Sequence, residues 1–426
     1  MPFPEQSDIL ETAFKALSKN YKGTDVDIYE LCKEKRKTEP VMKGDFMRAL
    51  NVPTHADVRQ TYETFVLFKY KDIRKTLADA KTFTSGFIKN GLGSFFGGDG
   101  LIILAMDGDQ HKKTRALLQP VFMPSNVNIM RDEMDRVVRE DFLNHIIEDK
   151  KANLMDFGLY FPIKIIYQLL GFPKENTEQF YEYAAMGLTI LAGQKIDAEA
   201  AEDARKVANS ASDGLLHLVE ELVEKRRKSG TEGTDLLSKL IVAEHEGERL
   251  SNHEIGTFAR SLVAAGGETT TRSFSSIMTL LLQRPELMKR AIADRSLIPA
   301  IINEGIRFEP VATVKVRQAA KDVEIGGVHI PAGSLVQCIV ASANRDEAVM
   351  ERPEEFDPDR KTPMNFTFGF GPHMCIGQFI AKLELETAIN AIFDLLPNLR
   401  FDPDMPLPTI EGGHLRGASN IHIIWD

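Results

Sequence analysis

Residues Asn365–Glu386 read NFTFGFGPHMCIGQFIAKLELE, a glycine-rich loop that carries Cys375 and continues into an amphipathic helix pattern. Gly369, Gly371 and Gly377 allow sharp turns and a close approach of the backbone to a flat ligand, because they have no Cβ. A cysteine at a helix start faces unpaired backbone N–H groups and the positive end of the helix dipole, and both favour the thiolate. The stretch therefore predicts either an inert core cysteine or a thiolate beside a flat ligand.

The spacing of this loop resembles the haem-binding signature of the cytochrome P450 family, in the positions of Phe368, Gly371, His373, Cys375 and Gly377. The resemblance implies that the Cys375 thiolate is the axial iron ligand of haem b (iron protoporphyrin IX), with Phe368 and Gly377 beside the haem. His373 stands where arginine is frequent in the family, and the resemblance implies that it donates to a haem propionate.

A long predicted helix, opened by a capping box at Ser251, contains the segment AGGETT at residues 265–270. This segment resembles the family's A-G-x-[D/E]-T motif over the distal face of the haem. The resemblance implies a proton relay of Thr269 and Glu268, with Ala265 against the haem. Glu268 stands where aspartate is frequent. Two adjacent glycines cost about 1 kcal/mol each inside a helix, so the segment is alternatively a notch where another helix crosses.

Glu304 and Arg307 lie three residues apart on a helix predicted over residues 299–308. An exposed pair of this kind contributes only a few tenths of a kcal/mol to stability. The resemblance implies instead the family's E-x-x-R pair, which is buried and braces the core behind the cysteine loop. Removing one partner of such a pair would leave an uncompensated buried charge.

Basic residues on two further predicted elements match family positions. His111 and Arg115 lie four residues apart on one face of a predicted helix, and Arg317 ends a predicted extended stretch. Taken alone, they are ordinary solvated side chains; the resemblance implies that all three bind haem propionates. The neighbouring Lys112 and Lys113 are either surface charges or part of a basic patch for an acidic redox protein.

Composition limits the possible classes of protein. The chain has 426 residues, of which 43% are hydrophobic, and a net charge of −10, which argues against nonspecific nucleic-acid binding. Its three cysteines are too few and too scattered for a disulfide framework or a zinc site. The N-terminus lacks a signal-peptide pattern, and no apolar run approaches the ~18 residues of a membrane span. We therefore expect a cytoplasmic protein without a membrane anchor.

Helical periodicity predominates along the chain. It predicts helices over residues 26–37, 71–80, 107–119, 125–149, 153–170, 175–192, 198–228 and 235–246, besides those at 251–282 and 299–308. Extended patterns occur at residues 64–68, 311–316, 323–340, 398–401 and 421–425. We expect a mainly α fold with small β-sheets (α+β), formed by one cytochrome P450-like domain over residues 1–426. The resemblance places the haem between the long central helix and the cysteine loop. It also implies that residues 175–228 form a mobile lid; taken alone, their apolar side chains indicate ordinary core packing.

The candidate substrate pocket is mostly apolar. An apolar, glycine-rich loop at residues 83–104 either folds over the core or lines a ligand cavity. The predicted lining residues are Phe87, Phe95, Phe96, Leu262, Ala265, Val311, Thr313 and Val314. They fit a neutral or weakly polar terpenoid, aromatic, fatty or steroid-like substrate.

The resemblance implies a haem-thiolate monooxygenase that hydroxylates such a substrate with O₂. Its electrons would come from a separate ferredoxin or flavodoxin with its reductase, because the sequence has no flavin or nicotinamide fingerprint and no iron–sulfur cysteine cluster. Alternatives are a haem-thiolate peroxygenase, isomerase or dehydratase, a non-catalytic haem-binding sensor or carrier, and a haem-free helical protein. The presence of Glu268 and Thr269 argues against a peroxygenase, isomerase or dehydratase. The apolar loop at residues 83–104 argues against a sensor.

Overall fold

The computed structural model describes residues 12–13, 26–50, 62–90, 102–172, 177–192, 198–230, 233, 235–245, 247–361, 364–418 and 420–426. Its α-helices, in chain order, are α1 Ile28–Thr38, α2 Phe46–Ala49, α3 Tyr70–Ala78, α4 Gly108–Leu118, α5 Pro124–Val127, α6 Arg131–Arg136, α7 Leu154–Leu169, α8 Thr177–Ala192, α9 Ala198–Ser229, α10 Leu236–Val242, α11 Asn252–Leu282, α12 Pro285–Ala293, α13 Ile298–Phe308, α14 Val340–Ala343 and α15 Gln378–Leu395. None of the described helices combines the length and the apolar character that a membrane crossing requires.

The strands are short, as a mainly helical fold requires. They are β1 Val41–Lys43, β2 Thr64–Leu67, β3 Phe83–Thr84, β4 Lys151–Asn153, β5 Glu244–His245, β6 Glu248–Arg249, β7 Val314–Ala319, β8 Val323–Ile325, β9 Val328–Ile330, β10 Leu335–Ile339, β11 Arg400–Phe401, β12 Ile410–Glu411, β13 Gly417–Ala418 and β14 His422–Ile424. Gly326 and Gly327 form the β8–β9 turn with φ of +59° and +81°, the left-handed conformation that a two-residue hairpin favours.

The main sheet has the strand order β1-β2-β10-β7-β3. Strand β10 lies at its centre, parallel to β2 and antiparallel to β7, so that Leu335 is opposite both Thr64 and Gln318. Side chains alternate between the two faces of β7. Val314 therefore joins a buried cluster on one face, while Lys315 and Arg317 share the opposite face.

Two predicted helices differ from the structure. Residues 125–149 form short α-, 3-10 and π-helical turns rather than one helix, with Pro124 at the start of the first. The helix predicted over 235–246 ends at Val242, and β5 and β6 pair as a hairpin. Gly247, with φ of +81°, makes the turn of this hairpin, which the helical periodicity did not indicate.

The proposed lid helices pack on the core. Tyr183 and Leu188 of α8, and Leu215 and Val219 of α9, are buried within the same cluster as the apolar face of α11. These side chains therefore follow the core-packing alternative, and the mobility of the pair stays a prediction.

Helix α11 is the central element, and it begins as the sequence predicts. The Ser251 hydroxyl accepts a hydrogen bond from the Glu254 backbone at 3.1 Å, and the Glu254 carboxylate accepts one from the Ser251 backbone at 2.8 Å. The helix continues through both mid-helix glycines. A Cβ on Gly267 would lie 2.6 Å from Cγ1 of Ile163 on α7. The glycine pair therefore does form a notch where α7 crosses α11.

We expect Gly267→Ala to destabilise the protein by about 1–3 kcal/mol, because the added methyl overpacks the crossing. This loss should outweigh the roughly 1 kcal/mol that alanine gains in helix propensity. Gly214→Ala is the matched control, since a Cβ on Gly214 of α9 meets only the flexible end of Met186, at 3.3 Å. Denaturant unfolding of both variants checks this. Equal stabilisation by both substitutions would show that the crossing tolerates the methyl.

Candidate active site

The cysteine loop has the backbone geometry that its glycines predict. Gly369 and Gly371 have φ of +77° and +72°, and the Cys375 N–H donates to the Phe368 carbonyl at 2.7 Å. A Cβ on Gly371 would lie 2.6 Å from the Leu77 carbonyl oxygen. Gly377 differs, because its φ is −83° and an added Cβ would meet nothing within 4 Å. Gly377 therefore borders open space, in front of the first residue of α15.

The Cys375 sulfur lies in an environment with opposing effects. Cys375 is exposed to the cavity, yet desolvation by the surrounding protein raises the pKa of its thiol, whereas hydrogen bonds from the Gly377 and Gln378 backbones, and the charges of Lys315 and Arg115, lower it. The predicted preference of the helix start for the thiolate is therefore real, but desolvation outweighs it. A cation bound to the sulfur would reverse this balance, since metal-coordinated thiols are deprotonated.

An apolar cavity separates the cysteine loop from α11. Of the predicted residues, Leu262, Ala265, Thr269, Val311, Phe368, Cys375 and Gly377 line it. Its other lining residues are Phe122, Ile166, Leu169, Gly266, Thr270, Ser273, Ala312, Lys315, Thr367, Ile376, Ile380, Ala381, Glu384 and Leu385. Cys375 and Thr269 therefore face one space.

Three predicted pocket residues lie elsewhere. Phe87 packs against Leu335 of the main sheet, and Val314 packs against the cluster that contains Cys32. Thr313 is fully buried, and its hydroxyl donates to the Gly413 carbonyl. Val314 is the first residue of β7 and lies on the strand face opposite Lys315, whereas Thr313 is kept from the cavity by its hydrogen bond to Gly413. Phe95 and Phe96 lie outside the described residues.

Two histidines from distant parts of the chain meet beside the cavity. The rings of His111 on α4 and His373 in the cysteine loop are 4.2 Å apart. Burial lowers the pKa of His373 to about 4, with Arg317 and His111 adding to the effect, and it lowers the pKa of His111 as well. Within the described part of the chain, Nε2 of His111 is buried without a hydrogen-bond partner, and Nε2 of His373 has only a long contact with Asp107 Oδ1, at 3.5 Å. Both neutral rings can therefore offer a hydrogen bond to a carboxylate of a ligand.

The acid–alcohol segment is divided between two environments. The Thr269 hydroxyl is on the cavity wall and donates to the Ala265 carbonyl at 3.0 Å. Glu268 is almost fully buried, and it pairs with Arg272 one turn further along α11. Glu268 is not among the cavity residues. Its part in a relay stays a prediction, and such a relay would run behind the cavity wall.

Glu384 of α15 is a cavity residue that the sequence analysis did not identify. It is 2% exposed, and its carboxyl accepts a hydrogen bond from Thr270, the residue after Thr269. Burial raises its pKa to about 8. The side chain is therefore a neutral acid at pH 7, beside the relay alcohol. The sequence gives only a weak indication that Glu384 is buried, because it lies in the run KLELE, whose charged residues resemble those of a solvated helix surface.

Glu384 should make the protein less stable as pH rises. Since its pKa in the folded state is raised, the folded protein holds a proton that the unfolded chain loses between about pH 4.5 and 8. This lowers the free energy of unfolding by up to about 1.4 kcal/mol per pH unit across that window. Glu384→Gln should flatten the decline, whereas the control Glu324→Gln, on an exposed hairpin residue, should keep it. Denaturant unfolding at several pH values checks this, and parallel curves for wild type and Glu384→Gln would contradict it.

Glu304 and Arg307, the E-x-x-R residues, form a buried ion pair with two hydrogen bonds. Arg307 Nε and Nη2 donate to the two oxygens of Glu304 at 2.7 and 2.8 Å, and Nη1 donates to the Asn344 carbonyl at 2.9 Å. The Thr367 hydroxyl accepts from the Asn344 amide at 3.0 Å and donates to the Ile306 carbonyl at 2.6 Å. This network ties α13 to the first residues of the cysteine loop.

The comparisons with known proteins agree with this geometry. A family model for cytochrome P450 matches residues 58–421. The chain belongs to the cytochrome P450 family. It is 32% identical to the cyclomarin C epoxidase CymV of Salinispora arenicola, over 80% of this chain and 85% of that protein. It is also 29% identical to the mycinamicin IV hydroxylase/epoxidase of Micromonospora griseorubida, over 86% of this chain and 91% of the relative.

Solved P450 structures share the fold. The chain resembles CYP109E1 from Bacillus megaterium, crystallised with testosterone, with a TM-score of 0.80 and 25% identity over 94% of this chain and all of that one. HmtT, involved in himastatin biosynthesis, gives a TM-score of 0.80 and 28% identity, over 96% of this P450 and 99% of HmtT. The predicted mainly α fold with small sheets is confirmed.

Membership of the family implies a haem cofactor, and the residues present fit one. Nε2 of His111 has no hydrogen-bond partner among the described residues, and Nε2 of His373 has only the long contact with Asp107, so both can donate to carboxylates. Arg115 and Arg317 lie close enough to interact electrostatically with Cys375 and Asp107, respectively. The open space at Gly377 leaves room for a flat ring beside the sulfur. A dicarboxylate macrocycle with a metal that binds thiolate satisfies all these groups.

Proposed function

We propose that this P450 is a haem b monooxygenase that hydroxylates a small to medium, largely apolar organic molecule. The observation that carries the proposal is that Cys375 and Thr269 line one apolar cavity from opposite sides. The haem, when bound, would supply oxygen activation, with electron density donated by the Cys375 thiolate. The named activities of the relatives, an epoxidase and a hydroxylase/epoxidase, support this reaction class.

Each site residue has a defined task in this proposal. Cys375 would hold the iron. The Gly377 and Gln378 N–H groups orient its sulfur and stabilise the thiolate by hydrogen bonds. His111, Arg115, Arg317 and His373 bind the two propionates. Leu262, Ala265 and Val311 hold the substrate body and exclude water.

Residues of α11 and α15 on the cavity wall deliver the protons in this proposal. The Thr269 hydroxyl faces the cavity, and Glu384 is a proton-bearing acid bonded to the adjacent Thr270. Glu268 is a second carboxylate, held by Arg272. We assign proton donation into the cavity to the Thr269 hydroxyl. Glu384 and Glu268 are then the groups that return a proton to Thr269.

Electrons would come from a separate ferredoxin or flavodoxin with its reductase. Lys112 and Lys113 of α4 are exposed, with only loose ion pairs to Asp109 at 3.2 Å and Glu248 at 3.8 Å. Exposed ion pairs of this kind are worth little, so both lysines are free to attract an acidic partner. A cytoplasmic location suits such a redox chain.

The proposal is tested with purified, haem-loaded protein. We expect the reduced, carbon-monoxide-bound form to show the red-shifted Soret band of thiolate ligation. A panel of terpenoid, aromatic, fatty and steroid compounds should yield an alcohol with O₂ and a surrogate redox chain. Equal turnover with hydrogen peroxide alone would favour a peroxygenase, and the absence of the red-shifted band would overturn the proposal.

Thr269→Ala should separate electron consumption from product formation. Without the hydroxyl, electrons are still consumed, but most should appear as hydrogen peroxide rather than hydroxylated product. The ratio of product to electrons consumed measures this. Ser273→Ala is the control, because the Ser273 hydroxyl donates to the Thr269 carbonyl and lies one turn further along the helix. Unchanged coupling in Thr269→Ala would remove Thr269 from the relay.

A further inference from the structure

Lys315 is a cation in the wall of a mostly apolar cavity. It follows Val314 at the start of β7, on the same strand face as Arg317, and it lines the cavity together with Cys375 and Thr269. Among the residues that the structure describes, Lys315 makes no hydrogen bond or ion pair. Lys315 is half-buried, and burial lowers the pKa of its ammonium group to about 8, because a charge away from water is costly without a counter-ion. An anionic ligand would therefore stabilise the charged lysine.

The carboxylates near the cavity are already committed. Glu384, which lines the same cavity, is held neutral by its burial. Glu268 is paired with Arg272 behind the wall. Asp107 accepts hydrogen bonds from the backbones of Ser85 at 2.9 Å and Gly86 at 2.8 Å. No described carboxylate of the cavity wall is therefore available to Lys315.

The haem does not supply the missing anion. On the proposed assignment, Arg115 and Arg317 match the charge of its two propionates, and the neutral His111 and His373 add two further donors. The Cys375 thiolate, the nearest anion in the protein, is taken by iron in the loaded enzyme. Lys315 is then one positive charge in excess of what the protein and its cofactor neutralise.

We propose that Lys315 binds a carboxylate of the substrate. This inference rests on the proposed function and narrows it: the substrate is an amphipathic acid, with an apolar body against Leu262, Ala265 and Val311 and its anionic end on β7. The lysine orients the molecule across the cavity and thereby determines which carbon faces the reactive centre. Lys315 is a specificity residue rather than a catalytic one.

The test uses probes that bind the haem iron through an imidazole and differ only at their far end. These are matched pairs of ω-imidazolyl carboxylic acids and ω-imidazolyl alcohols of several chain lengths. Their Kd values come from the spectral shift of nitrogen ligation, with wild type, Lys315→Met and Lys315→Arg. Lys321→Met is the control, since this lysine is exposed just beyond the end of the same strand. Transfer of haem to apomyoglobin measures haem retention in each variant.

At the best-fitting chain length we expect wild type to bind the acid at least tenfold more tightly than the alcohol. Lys315→Met should abolish this preference, while Lys315→Arg and Lys321→Met should keep it, and haem transfer should be unchanged throughout. Equal binding of acid and alcohol by wild type would overturn the inference. So would faster haem loss in Lys315→Met with its acid preference intact, because Lys315 would then serve a propionate. Absence of any nitrogen-ligation shift would instead contradict the proposed haem function.

Discussion

Cys375→Ser should eliminate the thiolate spectrum and reduce monooxygenase turnover to background. A serine hydroxyl is not ionised at neutral pH and provides no sulfur donor, so the iron loses the axial ligand that supports oxygen activation. The loop itself should persist, because Gly369 and Gly371 hold their backbone without help from the sulfur. Absorbance of the reduced, carbon-monoxide-bound protein and product analysis measure the two effects.

The other two cysteines are the matched controls. Cys32 and Cys338 are fully buried, and burial raises the pKa of each thiol to about 12, so neither supplies a thiolate. Cys32→Ala and Cys338→Ala should retain the red-shifted band and turnover, with a modest loss of stability. Retention of that band in Cys375→Ser would show that the iron is bound by another residue.

Arg307→Leu is expected to cost about 3–5 kcal/mol of stability, because it removes the two-bonded partner of the buried Glu304 carboxylate and leaves only the longer contact with Arg360, at 3.4 Å. This is a large share of the ~5–15 kcal/mol by which domains are stable. The change also removes the hydrogen bonds from Arg307 to the Asn344 and Pro353 carbonyls, at 2.9 and 3.0 Å. We therefore expect little folded, haem-loaded protein at 37 °C.

The matched control for this prediction is Arg290→Leu. Arg290 pairs with Asp359 at 3.1 Å, but both side chains are more than half exposed. The substitution should change stability by less than about 1 kcal/mol. Denaturant unfolding and the yield of haem-loaded protein compare the two variants, and similar losses would show that the Glu304–Arg307 pair braces nothing.

Much of the site could be predicted because its local patterns are strong. The glycines around Cys375, the capping box at Ser251 and the extended stretch before Arg317 each encode their own backbone, and the structure has all three. Distances between such segments are not local. The meeting of His111 with His373 depends on how the cysteine loop packs beside α4, and periodicity carries no information on that contact.

The errors arose where the face of an element was decided by tertiary packing. Val314 lies on the strand face opposite Lys315, which lines the cavity, and Thr313 is turned instead to the Gly413 carbonyl. Lys315 and Glu384 were missed for one reason: charged residues in alternating runs normally face water. The cavity between α11 and the cysteine loop puts both of them inside the protein.

The parallel pairing of β2 with β10 has a consequence for biosynthesis. The two strands are neighbours in space although one is near the beginning of the chain and the other lies beyond its third quarter. Closing so long a loop is entropically slow. Strand β2 can pair with β1 early, but nascent chains on the ribosome must leave its other edge unpaired until residues 335–339 emerge, and this edge is exposed to aggregation during that interval. Since the cysteine loop is translated later still, haem insertion comes after this closure, and low expression temperature with ample haem precursor should raise the yield.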